Sequence, residues 1–319
     1  MILVYADHDL GVLDPLSLQA VTAAKALDTD VQVLVVGADG RGTADELAAH
    51  GATTAHLAVH DALTDYTPLA AARAAQQLVN ELSPQAVISA GTPRGNEVLA
   101  HLGALMDVPM SADTVSITLS GTGNHEVVRN RWGGNLLETA IVHSPVLLAT
   151  IAPHTVTALE SPESVSVREF TPALDPIDTA VRVIERTGEG GGGIGLADAR
   201  VIVSGGRGVG SAEGFESLEQ LAELLGGAIG CSRVVTSAGW RPHSEQVGQT
   251  GTKVAPDLYI ACGISGATQH IAGCRSAKTI IAINTDKDAP IMGFAHYAVI
   301  GDLHAVMPAL VEATRAAKG

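Results

Sequence analysis

The sequence predicts an α/β protein of two domains, each built on a mostly parallel β-sheet flanked by helices. Its 319 residues exceed the usual size of a single domain. Short apolar strands alternate with segments of helical apolar spacing, a pattern typical of parallel strands joined by crossover helices. Residues 186–197 hold six glycines, which neither a helix nor a strand tolerates well. We therefore predict a domain over 1–185, a Gly-rich linker over 186–197 and a second domain over 198–319.

The first domain begins with regular alternation and then changes pattern. The predicted strands are 2–6, 31–36, 55–59 and 86–89, and the predicted helices are 16–27, 44–50 and 69–82. From 115 to 167, short segments rich in β-branched residues lie between Gly and Asn turns. These segments predict antiparallel strands that cover one edge of the sheet.

The second domain continues the alternation. The predicted strands are 200–204, 228–231, 258–262, 279–283 and 297–300, and the predicted helices are 213–225 and 303–316, with a short helix that ends at 273. Gly226 and Gly227 are expected to end the first of these helices. In open parallel sheets ligands bind at the carboxyl ends of the strands, and the unusual residues of this domain follow its predicted strands.

Composition excludes several classes of partner and compartment. The formal net charge of −15 argues against nucleic acid or an anionic membrane as a partner, because both attract basic surfaces. Three cysteines without a C-x-x-C pair predict reduced thiols. The chain begins without a basic or Arg-rich leader and has no apolar run of membrane-spanning length. We expect a cytoplasmic protein that is not inserted in a membrane.

The loop 204–210, SGGRGVG, follows the first strand of the second domain. Its unshielded amides and Arg207 can cradle a phosphate. The spacing differs from G-x-G-x-x-G because Ser211 stands where the third glycine would fall, and Ser232 and Arg233 follow the next strand in place of an acidic residue. An NAD site is therefore not supported. A tight turn with a solvated arginine remains the alternative interpretation.

Two further loops carry hydrogen-bonding groups. The loop 246–251, QVGQTG, brackets polar side chains with glycines, so it can approach a flat heterocycle closely. The alternative is an ordinary polar loop. In segment 263–270, GISGATQH, Ser265 is expected to cap a helix and to favour an anion. His270 then lies at the end of the first turn, either as a ligand contact or as an ordinary surface histidine.

Polar residues also follow the last two strands. Asn284 follows one strand, and Asp302 with Leu303 follows the other. Both are places where ligand contacts gather, although Asp302 is equally suited to cap the last helix. No Ser-His-Asp spacing, H-E-x-x-H motif or paired carboxylate motif is present. We therefore predict no catalytic residue and no metal ligand.

Seven segments of the second domain, taken in order, closely resemble the FAD domain of the electron transfer flavoprotein α subunit. They are SGGRG, CSR, QVGQTG, APDLYIACGISGATQH, KTIIAIN, DAPI and GDL. The combination of QVGQTG with GISGA-x-QH is highly specific. Three parts of the first domain look like the N-terminal domain of the same family: the opening strand and helix, the segment GTPRGNEVLAHLGALMDVP, and the segment GGNLLETAIV. The first domain is therefore expected to contact the partner subunit.

The resemblance implies a set of FAD contacts. By similarity, Thr250 would bond near flavin N5, His270 would lie by the C2 carbonyl as a donor or cation, and Ser265 would face the pyrophosphate. Asn284, Asp302 and Leu303 would face the adenosine end. This sequence departs from the family at Ser237, where an aspartate is usual, and at Thr268, where an aliphatic residue is usual. The implied contacts are Arg207, Ser232, Arg233, Val247, Gly248, Gln249, Thr250, Ser265, Gly266, Ala267, Thr268, Gln269, His270, Asn284, Asp302 and Leu303.

The resemblance also implies a function, that of an electron carrier rather than an enzyme. A heterodimer with the β subunit would hold one FAD, with AMP bound mainly by that partner. It would relay electrons from acyl-CoA and related dehydrogenases of fatty acid β-oxidation to the membrane-bound electron transfer flavoprotein-quinone oxidoreductase. Three alternatives stay open: an NADP-dependent oxidoreductase subunit with Arg207 and Arg233 on the 2′-phosphate, an adenine-nucleotide sensor, and an electron-bifurcating variant with a second flavin. The visible absorption of a flavin separates the first of these from an FAD protein.

Overall fold

The computed structural model describes residues 1–185, 195–197 and 199–318. The chain divides into two compact units, Met1–Arg186 and Thr187–Gly319, called here the N-terminal and the C-terminal unit. Most of the predicted Gly-rich linker, 186–194, lies outside the described residues, so the exact domain boundaries stay a prediction. Among the described residues, no helix combines the length and the apolar character that a bilayer crossing requires.

The N-terminal unit contains one nine-stranded sheet in the order β11-β5-β4-β1-β6-β10-β7-β8-β9 and a separate two-stranded hairpin, β2-β3. Its strands are β1 (Ile2–Tyr5), β2 (His8–Asp9), β3 (Val12–Leu13), β4 (Val31–Val36), β5 (Thr54–Ala58), β6 (Ala86–Ala90), β7 (Met110–Thr118), β8 (Asn124–Arg131), β9 (Leu136–His143), β10 (Leu147–Ile151) and β11 (Ser166–Phe170). Its helices are α1 (Pro15–Lys25), α2 (Ala44–Ala49), α3 (Pro68–Leu82) and α4 (Pro93–Met106).

The inner parallel strands of this sheet are buried on both faces. β1, β5, β6 and β10 consist entirely of buried residues, as expected when crossover helices cover a parallel sheet. α3 turns five alanines toward the interior, and these small side chains let its backbone lie close to the sheet. The predicted fold class, a mostly parallel sheet flanked by helices, is confirmed here.

The predicted antiparallel region is only partly correct. β7, β8 and β9 are antiparallel neighbours at one edge of the sheet, as expected. β10 instead lies in the sheet interior, parallel to β6 and β7. Its residues are apolar except Thr150, whose hydroxyl donates to Asn96 Oδ1, so the strand can be buried on both faces. β11 is parallel to β5 at the opposite edge. α4 was not predicted.

The C-terminal unit is a five-stranded, fully parallel sheet in the order β13-β12-β14-β15-β16. Its strands are β12 (Val201–Gly205), β13 (Ala228–Cys231), β14 (Leu258–Cys262), β15 (Thr279–Asn284) and β16 (Tyr297–Ile300). Its helices are α5 (Glu216–Leu225), α6 (Arg233–Ser237), α7 (Thr268–Cys274) and α8 (Leu303–Lys318).

The ends of α5 depend on local backbone chemistry. The predicted helix over 213–225 begins with a 3₁₀ turn, Glu213–Phe215, before α5 itself. Gly226 ends α5 in the left-handed conformation at φ 64°, which glycine adopts without a Cβ penalty. The predicted C-cap at Gly226 is therefore confirmed.

Candidate functional site

An open cleft of about 940 Å³ lies at the carboxyl ends of the strands of the C-terminal unit. This volume is within the usual range for sites that bind drug-sized ligands and cofactors. The cleft brings together most of the residues that the sequence predicted. Those lining it are Arg207, Ser232, Arg233, Val247, Gly248, Gln249, Thr250, Ser265, Gly266, Ala267, Gln269, His270 and Asn284.

Three predicted residues do not line this cleft. Thr268 is the first residue of α7 and is exposed. Asp302 caps α8, with its Oδ1 accepting a hydrogen bond from the His304 amide at 3.0 Å, so the capping alternative describes its role in this structure. Leu303 is buried in the core of the unit. Because Asn284 is paired in register with Ile300, Asp302 nevertheless lies at the same edge of the sheet as the cleft.

The loop after β12 is held against the loop after β14 by their backbones. The Gly206 amide donates to the Cys262 carbonyl at 2.8 Å, and the Gly208 amide donates to the Gly263 carbonyl at 3.0 Å. A Cβ on Gly208 would lie 2.7 Å from the Gly263 Cα, a distance that real Cβ atoms do not reach. The glycines are therefore needed for close approach of two backbones, and Arg207 extends from this rigid base.

Two arginines give the cleft its positive charge. Arg207 and Arg233 are exposed, and neither forms an ion pair with another described residue. Arg233 is the first residue of α6 and follows Ser232 at the N-cap. In a chain with a net charge of −15, two arginines without carboxylate partners on one cleft are suited to bind an anionic ligand.

The loop 246–251 is fixed by hydrogen bonds to two elements. The Val247 amide donates to the Cys231 carbonyl at 2.9 Å, and the Gln249 amide donates to the Gln269 carbonyl at 2.7 Å. Thr250 Oγ1 accepts a hydrogen bond from Gln246 Nε2 at 3.0 Å. Since its oxygen is the acceptor there, the hydroxyl hydrogen of Thr250 is available to donate to a ligand. This loop is more constrained than an ordinary polar loop.

The prediction that Ser265 caps a helix is wrong. α7 begins at Thr268, and its N-cap is Ala267, whose carbonyl accepts the His270 amide at 2.8 Å. The chain first turns at Gly266, with φ 83°, so the helix starts later than the sequence pattern suggested. Ser265 is exposed on the cleft wall, and its hydroxyl is free to meet a ligand without serving as a cap.

His270 is a buried residue of the cleft wall, so the surface alternative is wrong. Its Nε2 lies 2.8 Å from the Tyr259 hydroxyl. Burial lowers the pKa of His270 to about 4, against a smaller opposite effect of the Val247 backbone. The imidazole is therefore neutral near pH 7, and the expected role as a cation is not supported by this structure. Its Nδ1 has no hydrogen-bond partner among the described residues.

Asn284 holds the wall in place. Its Nδ2 donates to the Ile264 carbonyl at 3.0 Å, and its Oδ1 accepts the Asp286 amide at 3.0 Å. The side chain thus joins the loop after β14 to the loop after β15. Asn284 lines the cleft, but in this structure both hydrogen bonds of its amide group go to the protein backbone.

Other residues of the cleft wall were not assigned to the site from the sequence. Gly208, Gln246, Gly263 and Ile264 lie within the quoted motifs, so their proximity to the predicted contacts was the available signal. Ala289 lies within the quoted motif DAPI, and Val234, Ser237 and Asp286 lie one to several residues beyond the quoted motifs. Ser237 was noted only as a departure from the family. The unassigned wall residues are Gly208, Val234, Ser237, Gln246, Gly263, Ile264, Asp286 and Ala289.

Comparison with known families decides the identity of the fold. Residues 2–175 match the family described as "Electron transfer flavoprotein domain", and residues 195–275 match "Electron transfer flavoprotein FAD-binding domain". The chain belongs to the electron transfer flavoprotein α subunit family. The resemblance seen in the motifs is confirmed, and an FAD-binding domain favours FAD over the NADP alternative.

Relatives in this family match along nearly the whole chain. The electron transfer flavoprotein subunit alpha of Mycobacterium tuberculosis is 38% identical over 323 residues, covering 100% of this chain and 99% of its own. The subunit of the same name from Bacillus subtilis is 35% identical, covering 95% of this chain and 93% of its own. The Protein FixB of Clostridium saccharobutylicum is 35% identical, covering 97% and 94%.

The cleft of this electron transfer flavoprotein α family member fits FAD in three respects. Two arginines without carboxylate partners match a pyrophosphate. Glycine-lined loops allow a ligand to approach the backbone closely. The buried Nδ1 of His270 has no partner among the described residues, and a buried polar atom of this kind is satisfied when a ligand supplies one. The residues present therefore suit a large, anionic ligand with hydrogen-bonding edges.

Proposed function

We propose that this chain is the FAD-holding subunit of a two-subunit electron carrier. It accepts electrons from acyl-CoA and related dehydrogenases and passes them to a membrane-bound electron transfer flavoprotein-quinone oxidoreductase. The observation that carries this proposal is the cleft at the strand ends of the C-terminal unit, which overlaps the FAD-binding family match and is lined by Arg207, Arg233, Thr250 and His270.

When bound, FAD would supply the redox chemistry, since its isoalloxazine ring takes up and releases electrons. The protein residues bind and orient it. Arg207 and Arg233 neutralise phosphate charge, and Ser265 offers a hydroxyl to the same group. Thr250 donates a hydrogen bond from a loop that two backbone contacts hold rigid. Asp302 and Leu303 remain proposed contacts for the adenosine end, at the edge of the sheet beyond the cleft.

His270 contributes a hydrogen bond rather than a charge in this proposal. Burial keeps its imidazole neutral, so it stabilises added negative charge on a ligand as a donor in a water-poor environment, where such a bond is stronger than in water. A neutral donor also leaves the oxidised ligand bound without an uncompensated positive charge nearby.

The partner subunit is part of the proposal. We infer a heterodimer with the electron transfer flavoprotein β subunit, one FAD per heterodimer, and AMP in the partner. Support comes from the names of the relatives, which are alpha subunits. We also infer a cytoplasmic location, supported by three buried cysteines that form no disulfide. The protein then carries electrons without substrate chemistry of its own.

Co-expression with the β subunit tests the proposal. The purified complex is expected to show the visible absorption of oxidised flavin, to release one FAD per heterodimer and to bleach when an acyl-CoA and its dehydrogenase are added. An acyl-CoA without dehydrogenase is the control and should leave the colour unchanged. A complex that stays colourless with excess FAD present would refute FAD binding, and a coloured complex that no dehydrogenase bleaches would refute the proposed donors.

A further inference from the structure

A buried tyrosine lies behind the histidine of the cleft wall. Tyr259, in β14, is fully buried and does not line the cleft. Its hydroxyl is 2.8 Å from His270 Nε2, and the two rings are tilted by 52° with centroids 6.1 Å apart. This distance is that of a good hydrogen bond. No role for Tyr259 follows from the motifs or from the FAD contacts they imply.

Both partners of this hydrogen bond are electrically neutral. Burial raises the pKa of Tyr259 well above its ordinary value, so the phenol keeps its hydrogen. Burial lowers the pKa of His270 to about 4, so the ring carries one hydrogen, on either Nδ1 or Nε2. The pair therefore has two possible arrangements. Either the phenol donates to Nε2 and the ring hydrogen is on Nδ1, or Nε2–H donates to the phenol oxygen and Nδ1 is an acceptor.

The first arrangement is the stronger hydrogen bond. A phenol O–H is a better donor than a neutral imidazole N–H, because its ordinary pKa is about 10. The unprotonated imidazole nitrogen is in turn a better acceptor than a phenol oxygen, since it binds a proton with an ordinary pKa of about 6.5.

We propose that Tyr259 is a positioning residue whose phenol donates to His270 Nε2 and so holds the imidazole in the tautomer with its hydrogen on Nδ1. Nδ1 is the ring atom without a partner among the described residues, and His270 lines the cleft. With this tautomer the buried Nδ1 carries a hydrogen, so a ligand acceptor that reaches it meets a hydrogen-bond donor. The opposite tautomer offers a lone pair, which repels a carbonyl oxygen. This inference rests on the proposed FAD function for its purpose, because the edge of an isoalloxazine ring presents carbonyl acceptors.

The tautomer is measured directly by NMR. The full chain, labelled with ¹⁵N-histidine and complexed with its β subunit, distinguishes protonated from unprotonated ring nitrogens by their ¹⁵N shifts, and His270→Asn identifies the signals. We expect Nδ1 protonated and Nε2 unprotonated. Tyr259→Phe removes only the hydroxyl and is expected to give a mixture of tautomers. Tyr5→Phe, at a buried tyrosine of β1 in the N-terminal unit, removes the same group and should leave His270 unchanged.

FAD retention provides the second readout. We expect Tyr259→Phe to weaken FAD binding about tenfold, equivalent to ~1.4 kcal/mol, and Tyr5→Phe to leave it unaltered. A hydrogen on Nε2 in the unsubstituted protein overturns the inference, even if Tyr259→Phe fails to fold. Unchanged shifts and unchanged FAD binding in Tyr259→Phe overturn it as well. If the complex binds no FAD at all, the proposed function fails, yet the shifts of the colourless protein still decide the tautomer.

Discussion

Replacement of Gly263 by alanine tests the close backbone contact that shapes the cleft. Gly263 has φ 62°, and an added Cβ would lie 2.6 Å from the Gly208 Cα. Gly226 is a matched control, because its φ is 64° and an added Cβ would have no atom within 4 Å. Both substitutions carry the left-handed backbone cost of about 1 kcal/mol. Only Gly263→Ala forces the two loops apart, which is expected to add about 1–3 kcal/mol.

Urea unfolding followed by Trp240 fluorescence, with Trp132 replaced by phenylalanine throughout, measures this difference in the C-terminal unit. Gly263→Ala is expected to unfold at clearly lower urea than Gly226→Ala. It should also bind FAD at least about tenfold more weakly, because Arg207 and Ser265 extend from the displaced loops. Gly226→Ala should keep its FAD. Equal stability and equal FAD binding of the two variants would show that the loops are not in the close contact described.

Three further predictions concern single side chains. Arg233→Ala should weaken FAD binding about tenfold or more in equilibrium dialysis, through loss of a charge-assisted bond, whereas Arg315→Ala on α8 should leave it unchanged; equal binding by both variants contradicts the role of Arg233. Thr250→Val, which removes the hydroxyl and leaves Gln246 Nε2 without its acceptor, should lower both FAD binding and stability by about 1 kcal/mol, and Thr250→Ser should restore both. Burial raises the pKa of Asp7 from an ordinary 3.8 to about 6, so the folded chain keeps a proton that the unfolded chain releases. The free energy of unfolding of the N-terminal unit should therefore fall by up to ~3 kcal/mol as pH rises from about 4 to about 6. In urea unfolding, Asp7→Asn should reduce this dependence on pH; the same dependence in Asp7→Asn would contradict the raised pKa of Asp7.

The strands of the C-terminal unit were predictable because each is a short, mostly apolar run that ends at Gly or Asn or is followed directly by Gly or Ser. The convergence of their loops followed from parallel topology, since all five carboxyl ends lie at one edge. That is why residues as far apart in sequence as Arg207 and Asn284 could be assigned to one site.

Local patterns were insufficient where tertiary contacts decide the outcome. The N-cap expected at Ser265 moved to Ala267 because Gly266 turns the chain first. His270 is buried and hydrogen-bonded to Tyr259, eleven residues earlier, and no periodicity connects the two. α4 was missed because Pro93 and its glycines obscure the helical pattern, although Gly103 is needed there: a Cβ would lie 2.9 Å from the Val108 carbonyl oxygen.

The cleft wall is assembled from loops that follow four different strands, β12, β13, β14 and β15, and a bound dinucleotide would touch all of them. Such a ligand acts as a non-covalent cross-link, since none of the four loops can leave the sheet without releasing it. At a free concentration one hundred times its Kd, the ligand adds about 2.7 kcal/mol to stability. A chain without its ligand would lack this stabilisation and would unfold, and be cleaved by proteases, more readily than a loaded one.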